Sequence, residues 1–325
     1  MKHLTICLTF CLCLSISQAV FAKGSGYVFV SSEKDDVVSV FKSDTLELVK
    51  KIPTNERPRT LRFNSDRSKI FVACGDGDAI DIIDVARLEV IKSVDVGEDP
   101  DRFDVSPDDK YIYAANEDDG LLTIFDLKQD KKIAEIPVGE EPEGTLAHPD
   151  NKTVFVASEV ANMIHVIDVP SRELLHNIVV GLRPRRMALT PDQGFLWVTN
   201  EMGGTVTIID AKSYKVVDEI KFQPKGFRPE DVTPVGIIMT KDGTRAYVTL
   251  GHANHVAVVD VAKRSIDKYV LVGKRAWGIT LSADEKTLYV VNGKSDDLSA
   301  IDTESLKVKR SVPAGRVPHE VLADD

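Results

Sequence analysis

Charged and aromatic side chains follow a proline that recurs along the chain. Four of them are guanidinium groups, whose planar fork binds carboxylate or phosphate through two parallel hydrogen bonds. We expect the set to line a pocket for a small acidic ligand or a partner; its members are Arg59, Arg102, Glu143, Arg185, Arg186, Trp277, His319 and Glu320. A polar channel cross-linked by salt bridges would use the same residues. The sequence leaves both interpretations open.

The close pair His252 and His255 is a candidate metal site. Imidazole binds zinc and other divalent metals, and His319 would be a third ligand if the fold brings it near. The spacing alone places no third ligand, so two exposed loop histidines without a metal are the simpler explanation.

Glutamates occupy corresponding places at Glu117, Glu159 and Glu201. We expect them to form an acidic rim beside the pocket, with Glu201 as part of the binding site. A glutamate acts as a general base only where burial or a neighbouring carboxylate raises its pKa. The sequence therefore identifies no catalytic residue.

These residues interrupt a repeat of 42 residues. One aspartate series is Asp84, Asp126, Asp168, Asp210, Asp260 and Asp302, with every step equal to 42 residues apart from one of 50. A second aspartate series from Asp66 to Asp284 and a proline series from Pro58 to Pro318 keep the same register. One insertion of eight residues therefore separates otherwise equal units.

Each unit contains four short runs of β-branched and aromatic residues separated by turn residues. Around the central repeat these runs are Arg185–Thr190, Phe195–Asn200, Thr205–Asp210 and about Tyr214–Lys221. In the turn between the first two, Asp192 is expected to accept backbone N–H groups and Gly194 to take the positive φ. A four-stranded sheet repeated every 40 to 50 residues, roughly, is typical of a propeller blade.

The units predict an all-β, seven-bladed β-propeller with four antiparallel strands in each blade. The chain starts at a second strand, Tyr27–Ser31, and ends with an additional innermost strand, Pro318–Ala323. Pairing of these two segments would close the ring. The corners between second and third strands and the connections from fourth to first strands then share one face, the top face. The insertion within Lys221–Thr233 lies there, and loops on a rigid scaffold commonly carry function.

The first 22 residues are predicted to be a secretory signal peptide. Lys2 gives a basic start, Leu4–Ile16 is apolar but too short to span a bilayer, and Val20–Ala22 offers a cleavage site. We predict cleavage after Ala22, a single propeller domain over residues 23–325 and a periplasmic location. Cys74 is then the one cysteine left, predicted to be buried and without a disulfide partner.

The formal net charge is −10 at pH 7. Nucleic acid and anionic membrane surfaces attract basic proteins, so we expect neither as a partner. Beyond the leader no segment is apolar enough for membrane insertion. The chain also lacks the haem-attachment motif CxxCH, a phosphate-binding glycine loop and the hydrolase motif GxSxG.

The repeat resembles the YVTN family of β-propellers. The tetrapeptide that names the family has counterparts at Tyr113–Asn116, Trp197–Asn200, Tyr247–Leu250 and Tyr289–Asn292. Further family elements are V-G-x-x-P at Val138–Pro142, V-I-D at Val166–Asp168 and S-P-D at Ser106–Asp108. The resemblance covers nearly all of residues 23–325 and implies the propeller fold, but not an activity.

In layout the chain looks like the exported propellers associated with pyrroloquinoline quinone (PQQ)-dependent alcohol catabolism. The shared features are the signal peptide, seven units, one long connection, Trp277-Gly278 and the terminal VPHE at Val317–Glu320. That resemblance implies an accessory protein beside quinoprotein dehydrogenases and cytochromes, with no catalytic residues to carry over. Seven-bladed lactonases and the haem-binding propellers of nitrite reductases share the architecture, but their site residues do not map onto this chain.

We therefore expect a non-catalytic binding or scaffold protein rather than an enzyme. Its partner would be a quinoprotein dehydrogenase, a cytochrome or a small acidic ligand, and no cofactor is expected. Two alternatives stay open. One is a lactonase-like or metal-assisted hydrolase that uses a divalent metal at His252 and His255 with a rim glutamate. The other is a propeller that binds PQQ or haem, with the arginines and Trp277 contacting the quinone.

Overall fold

The computed structural model describes residues 24–325, and the predicted signal peptide lies outside the described residues. Residues 24–325 form 28 β-strands and one short 3-10 helix. The strands make seven separate four-stranded sheets. Within this range, no helix has the length and apolar character needed to cross a membrane.

The strands fall into four groups by their place in a blade. The innermost strands are β4 (Pro58–Phe63), β8 (Pro100–Val105), β12 (Pro142–Ala147), β16 (Pro184–Leu189), β20 (Ile237–Met239), β24 (Ala276–Leu281) and β28 (Pro318–Asp324). The second strands are β1 (Tyr27–Ser32), β5 (Lys69–Cys74), β9 (Tyr111–Asn116), β13 (Thr153–Ser158), β17 (Phe195–Asn200), β21 (Arg245–Thr249) and β25 (Thr287–Asn292). The third strands are β2 (Val37–Lys42), β6 (Ala79–Asp84), β10 (Leu121–Asp126), β14 (Met163–Asp168), β18 (Thr205–Asp210), β22 (His255–Asp260) and β26 (Asp297–Asp302). The outermost strands are β3 (Leu48–Pro53), β7 (Glu89–Val94), β11 (Lys131–Pro137), β15 (Glu173–Val179), β19 (Lys215–Lys221), β23 (Ser265–Leu271) and β27 (Lys307–Pro313).

The sheets form a closed ring, which confirms the predicted seven-bladed propeller. Each innermost strand contacts the next one around the channel, and β28 contacts both β24 and β4. Strand β28 pairs antiparallel with β1, with Tyr27 opposite Asp324 and Val30 opposite Val321. Blade 1 is therefore β28-β1-β2-β3, and blades 2 to 7 follow in chain order from β4. The two ends of the chain close the ring through backbone hydrogen bonds.

Buried aromatic residues wedge between neighbouring blades. Trp197 packs with Val206 of its own blade and with Ala246 and Val248 of the next. All seven second strands bury an aromatic residue in this slot; these are Phe29, Phe71, Tyr113, Phe155, Trp197, Tyr247 and Tyr289. Burying one large apolar side chain contributes about 1.5–3 kcal/mol. Packing between blades therefore stabilises the ring, and Cys74, the single cysteine of residues 24–325, is buried as expected.

The aspartate turns lie on the opposite, bottom face and make most of the predicted contacts. Asp192 Oδ1 accepts a hydrogen bond of 2.9 Å from the Gly194 backbone N–H. The prediction that Gly194 takes the positive φ was wrong, because Gln193 occupies that conformation with φ 58°. The side-chain contacts of the aspartate hold the turn even with a non-glycine residue in the left-handed region.

Six innermost strands begin with an irregularity in their pairing. In β16 the register with β17 shifts between Pro184 and Met187, and the other five show a similar shift. A β-bulge re-aims the side chains beside it. The consecutive residues Arg185 and Arg186 are therefore both buried at the channel instead of alternating between faces.

The blade that follows the insertion differs from the other six. Its innermost strand β20 is only three residues long, and Val235 and Gly236 lie just before it. The inserted connection contains the 3-10 helix Pro229–Asp231. Phe222 and Val232 anchor the connection in the core between blades 5 and 6.

Candidate functional site

The residues that follow the proline position of each unit meet across the upper mouth of the central channel. We call this set the upper layer; it consists of Arg59, Asp101, Glu143, Arg185, Val235, Trp277 and His319. Every member is buried. These residues come from all seven blades, so their mutual contacts decide whether the mouth can bind a ligand.

Arg185 is surrounded by glutamates. Its NH2 group lies 2.7 Å from Glu143 Oε2, its NH1 group contacts Glu159, and its Nε lies 3.6 Å from Glu201 Oε2. Arg183, in the preceding loop, pairs with Glu159 and Glu201 as well. The charge of Arg185 is therefore neutralised by the protein itself.

Arg59 has a similar set of carboxylates. It pairs with Asp101, its Nε lies 3.1 Å from Glu33 Oε1, and its NH2 group lies 3.9 Å from Glu143 Oε2. Burial alone would lower the pKa of this guanidinium, but Asp101, Glu143 and Glu33 raise it above its usual value. Burial raises the pKa of Glu143 above its usual value, and the charges of Arg185 and Arg59 oppose that rise. The two arginines thus belong to one ion-paired network across the channel.

Trp277 and His319 fill the remaining part of the upper layer. Trp277 donates a hydrogen bond of 2.8 Å from Nε1 to His319 Nε2, and Arg59 Nε lies 3.2 Å from the same nitrogen. His319 Nε2 is therefore an acceptor, and the ring is neutral with its proton on Nδ1. Burial and the nearby arginines hold the pKa of His319 well below 6.5.

The aromatic face of Trp277 is already covered. The guanidinium carbon of Arg275 lies 4.2 Å from the ring centroid and that of Arg185 lies 5.2 Å away. These are cation–π distances. A ligand could stack on Trp277 only by displacing an arginine.

A second layer lies one residue further along the innermost strands. We call Thr60, Arg102, Gly144, Arg186, Gly236, Gly278 and Glu320 the lower layer. Arg102 and Arg186 contact the same carboxylate oxygen, Oε2 of Glu320, at 3.2 Å in the case of Arg186. These residues belong to blades 3, 5 and 1, so the contacts cross the channel. Two guanidinium groups here share one carboxylate.

Glycines allow neighbouring innermost strands to lie close together in the lower layer. A Cβ atom at Gly236 would overlap the Trp277 carbonyl oxygen, and one at Gly278 would overlap the His319 carbonyl oxygen. Neighbouring innermost strands therefore approach closely at this level. A cavity of about 220 Å³ lies beside Gly236. It is lined by Arg62, Arg102, Arg186 and Glu320 together with apolar residues, and we call it the chamber.

The histidine pair does not fit a divalent metal. His255 Nδ1 lies 2.6 Å from the Ala253 carbonyl oxygen, and its ring packs edge-on against Phe227 and Tyr269. His252 Nε2 lies 3.4 Å from Lys294 Nζ. Burial, Lys294 and Arg275 lower the pKa of His252. A cation beside this lysine would be repelled, so the two histidines have local roles.

The sequence reasoning missed an acidic trio at the mouth. Among the described residues, Asp99, Asp101 and Glu117 bring potential ligand oxygens within 4.8 Å of one another. Arg57 NH1 lies 3.1 Å from Asp99, and Arg59 pairs with Asp101. The guanidinium groups of Arg57 and Arg59 therefore already neutralise the carboxylates that a metal cation would bind. Burial raises the pKa of Glu117, and the charge of Asp101 raises it further.

Exposed apolar residues form a second feature that sequence reasoning missed. Val160, Leu182 and Met202 are 50%, 59% and 69% exposed, and they line one groove of about 320 Å³ on the top face of blades 4 and 5. Corresponding positions in most other units carry charged residues, such as Asp118 for Val160 and Glu140 for Leu182. The replacement of charged residues by apolar ones at these repeat positions was the sequence feature that could have predicted the groove. We call the three residues the apolar patch.

Acidic loops border the apolar patch on one side. The exposed carboxylates there, called the acidic sector, are Glu98, Asp118, Asp119, Glu140 and Glu141. The opposite side of the top face carries exposed bases; these are Lys225, Arg228, Lys274 and Lys294. The patch therefore lies at the boundary between two regions of opposite charge.

Comparison with known proteins supports this architecture. The model of the YNCE-like β-propeller family matches residues 4–116 and 59–151, and the model of the seven-bladed β-propeller lactonase family matches residues 176–322. The chain is a seven-bladed β-propeller. Each family model covers a different half of the propeller, and no curated protein matches it.

Solved structures show the same fold at low sequence identity. Kuenenia stuttgartiensis hydrazine synthase is 21% identical, with a TM-score of 0.78 over 87% of this chain and 94% of that one. A putative 6-phosphogluconolactonase from Bacteroides uniformis is 15% identical, with a TM-score of 0.76 over 91% and 98%. A dihydro-haem d1 dehydrogenase is 17% identical, with a TM-score of 0.68 over 91% and 75%. These similarities concern the fold alone.

The propeller separates the predicted site residues into three groups. Arg59, Glu143, Arg185, Trp277 and His319 meet in the upper layer, and Glu201 contacts it from a top-face corner. Arg102, Arg186 and Glu320 meet in the lower layer. His252 lies in the top-face corner between β21 and β22, and His255 is the first residue of β22.

Proposed function

We propose that this propeller is a non-catalytic accessory protein whose top face binds a protein of a quinone-linked alcohol-oxidation system. The partner would be a quinoprotein dehydrogenase or a cytochrome, and both proteins would be periplasmic. The observation that carries the proposal is the apolar patch beside the acidic sector. The resemblance to propellers of PQQ-dependent catabolism supports the choice of partner.

The apolar patch has the character of a contact surface. Single exposed apolar residues are common on protein surfaces, whereas several around one groove with charged neighbours indicate a binding site. Val160, Leu182 and Met202 come from two corners and one connection, so the rigid blades fix their spacing. Protein interfaces commonly place such residues at the centre and polar residues around them.

The acidic sector indicates the charge of the partner. Five exposed carboxylates lie beside the patch, while the exposed bases lie on the other side of the top face. A partner with an apolar centre and lysine or arginine on one flank would complement this arrangement. Complementary charge accelerates association and makes it sensitive to salt.

The upper layer favours binding over catalysis. Its two arginines are held by carboxylates of the protein, and its imidazole accepts hydrogen bonds from Trp277 and Arg59. A nucleophile or general base needs an open approach to its substrate. The buried ion-paired groups of the upper layer instead give the top face a rigid centre.

The test is capture of the named partners from periplasmic extract of the native host. Immobilised wild-type protein should retain a quinoprotein dehydrogenase or a cytochrome at low salt and release it at high salt. Leu182→Asp should lose most of this retention, because it places a charge in the apolar patch. The matched control is Leu175→Asp, which changes a leucine 48% exposed on the outermost strand of the same blade.

Retention by Leu175→Asp together with loss by Leu182→Asp supports the proposal. Equal retention by both variants contradicts the proposed surface. Absence of any quinoprotein dehydrogenase or cytochrome from the wild-type eluate contradicts the proposed partner.

A lactonase-like hydrolase is the second candidate, favoured by the match of residues 176–322 to the lactonase family. The raised pKa of Glu117 beside Asp99 and Asp101 is what a carboxyl group needs to act as a general acid or base. Purified protein should then hydrolyse members of a lactone panel, and Glu117→Gln should abolish that hydrolysis. A panel without turnover, with and without added divalent metal, rejects this candidate.

A further inference from the structure

We propose that the chamber below the lower layer binds a short-chain monocarboxylate. The site is formed by Arg102 and Arg186 around Glu320 and by the apolar wall beneath them. It lies on the opposite side of the upper layer from the apolar patch, so it does not depend on the docking function proposed above.

The first argument is charge. Three guanidinium groups, those of Arg62, Arg102 and Arg186, face the lower channel, and two carboxylates lie against them. Arg62 Nε lies 3.4 Å from Asp104 Oδ1, which leaves Glu320 alone to pair with both Arg102 and Arg186. A buried charge without a full partner is costly. A bound monovalent anion would restore the balance, whereas a dianion would reverse it.

The second argument is the supply of hydrogen-bond donors. A guanidinium group has five N–H donors. Within residues 24–325, the side chain of Arg186 donates to Glu320 alone, through NH1, and that of Arg102 donates to Glu320 and Thr60, also through NH1. The remaining N–H groups of both arginines make no hydrogen bond with residues 24–325, and none of their nitrogens is both fully buried and unpaired, so these donors border the open chamber. A carboxylate can accept two such bonds side by side.

The third argument is the chemistry and size of the wall. Beside the arginines, the chamber is lined by aliphatic and thioether side chains; these are Met187, Ile237, Ile238, Ile279, Val321 and Leu322. An inorganic anion would leave this surface uncovered, but an alkyl tail would bury it. A water molecule takes about 30 Å³ of liquid, so the volume of about 220 Å³ suits a molecule of roughly seven heavy atoms. Carboxylates of four to six carbons, about that size, match both the charge and the wall.

The route to the chamber is from the bottom face. The upper layer above it is buried throughout. Lining residues further down, namely Arg62, Ile238, Thr280 and Leu322, are partly exposed. A small carboxylate would therefore enter head first and place its charged end against Arg102 and Arg186, with its tail towards the opening.

Calorimetric titration of the purified protein with butyrate tests the proposal. Wild type should bind butyrate saturably, and butanol, which has the same tail without the charge, should show no binding. Chloride and phosphate should compete at least about ten-fold more weakly, because neither covers the apolar wall. Arg186→Met should weaken butyrate binding by at least about ten-fold, the usual effect of losing a charged hydrogen bond.

The variants are chosen so that folding does not obscure the result. Arg186→Met leaves Arg102 and Glu320 as a balanced pair, so we expect it to fold. If Arg186→Met does not fold, Arg102→Met provides the same test, because Arg102 is the other arginine that contacts Glu320. Arg316→Met, which changes an exposed arginine on the top face, should bind butyrate as wild type does. Absence of butyrate binding to wild type, equal competition by phosphate or unchanged affinity in the arginine variants overturns the proposal.

Discussion

The upper and lower layers of the channel are formed by consecutive residues of the same chain segments, yet their arginines are paired with different numbers of carboxylates. In the upper layer, Arg185 meets three glutamates and Arg59 meets two aspartate or glutamate side chains at close range. In the lower layer, Arg102 and Arg186 share Glu320. The comparison shows that neighbouring arginines of similar burial differ in how many carboxylates of the protein surround them.

The largest expected effect is in the upper layer. Arg185→Met should lower the free energy of unfolding by about 3–5 kcal/mol, because buried Glu143 would keep only Arg59 at 3.9 Å and buried Glu159 would keep only Arg183. Urea unfolding of wild type and variant measures the loss. The double variant Arg185→Met with Glu143→Gln should recover part of it. A loss below about 1 kcal/mol would mean that the upper-layer ion pairs are not what holds the mouth together.

Close strand approach gives the next effect. Gly236→Ala should destabilise the protein by about 1–3 kcal/mol, because its Cβ would overlap the Trp277 carbonyl oxygen and the strands would have to move apart. Gly293→Ala is the control, since the nearest atom to its Cβ would lie at an ordinary 3.5 Å. Thermal unfolding of both variants decides the point. Equal midpoints would show that the lower layer tolerates a wider ring.

The neutral imidazole of the upper layer predicts a pH effect. The pKa of His319 lies well below 6.5 in the folded protein, so below pH 6.5 the unfolded chain binds a proton that the folded protein does not. The free energy of unfolding should therefore fall as pH drops below 6.5, by up to about 1.4 kcal/mol per pH unit from this group.

His319→Gln keeps an acceptor for Trp277 but removes the titration. Urea unfolding at pH 7.5, 6.5 and 5.5, roughly one unit apart, should show a stability loss in wild type that is smaller in the variant. Parallel pH profiles for the two proteins would contradict the burial of a neutral histidine at this position.

The smallest expected effect is in the lower layer and completes the comparison. Arg186→Met should change the free energy of unfolding by less than about 1 kcal/mol, because the remaining Arg102 and Glu320 form a balanced pair. Measured beside Arg185→Met, it separates the two neighbours by their stability effects. A loss as large as that of Arg185→Met would show that both arginines are structural.

Much of the fold follows from the repeat itself. The aspartate and proline series set the number of blades, and the strand-like segments Tyr27–Ser31 and Pro318–Ala323 predicted how the ring closes. The prediction succeeded because turn residues and the alternation of apolar and polar residues along a strand depend only on neighbours in the sequence. The unit after the insertion is the exception, because its innermost strand β20 has only three residues.

The sequence predicted where the candidate site lies, but not that its residues separate into an upper and a lower layer. Residues that break the repeat pointed to the channel mouth, and eight of them do meet there in two layers. The apolar patch was not predicted from the sequence. Comparing Val160 with Asp118 and Leu182 with Glu140, the residues at the same positions of the preceding unit, would have indicated it. The metal hypothesis for His252 and His255 depended on neighbours that the spacing does not specify.

The sequence by itself determined a closed seven-bladed ring and the residues that face its channel, because repeat period, turn chemistry and strand pattern act over short distances. Only the tertiary structure decided which charges meet. Arg185 and Arg186 are adjacent in the chain, but a bulge directs them to different partners, and Glu320 comes from the blade made by the two chain ends. Electrostatic roles depend on contacts across the ring, and those contacts exist only once all seven blades have closed.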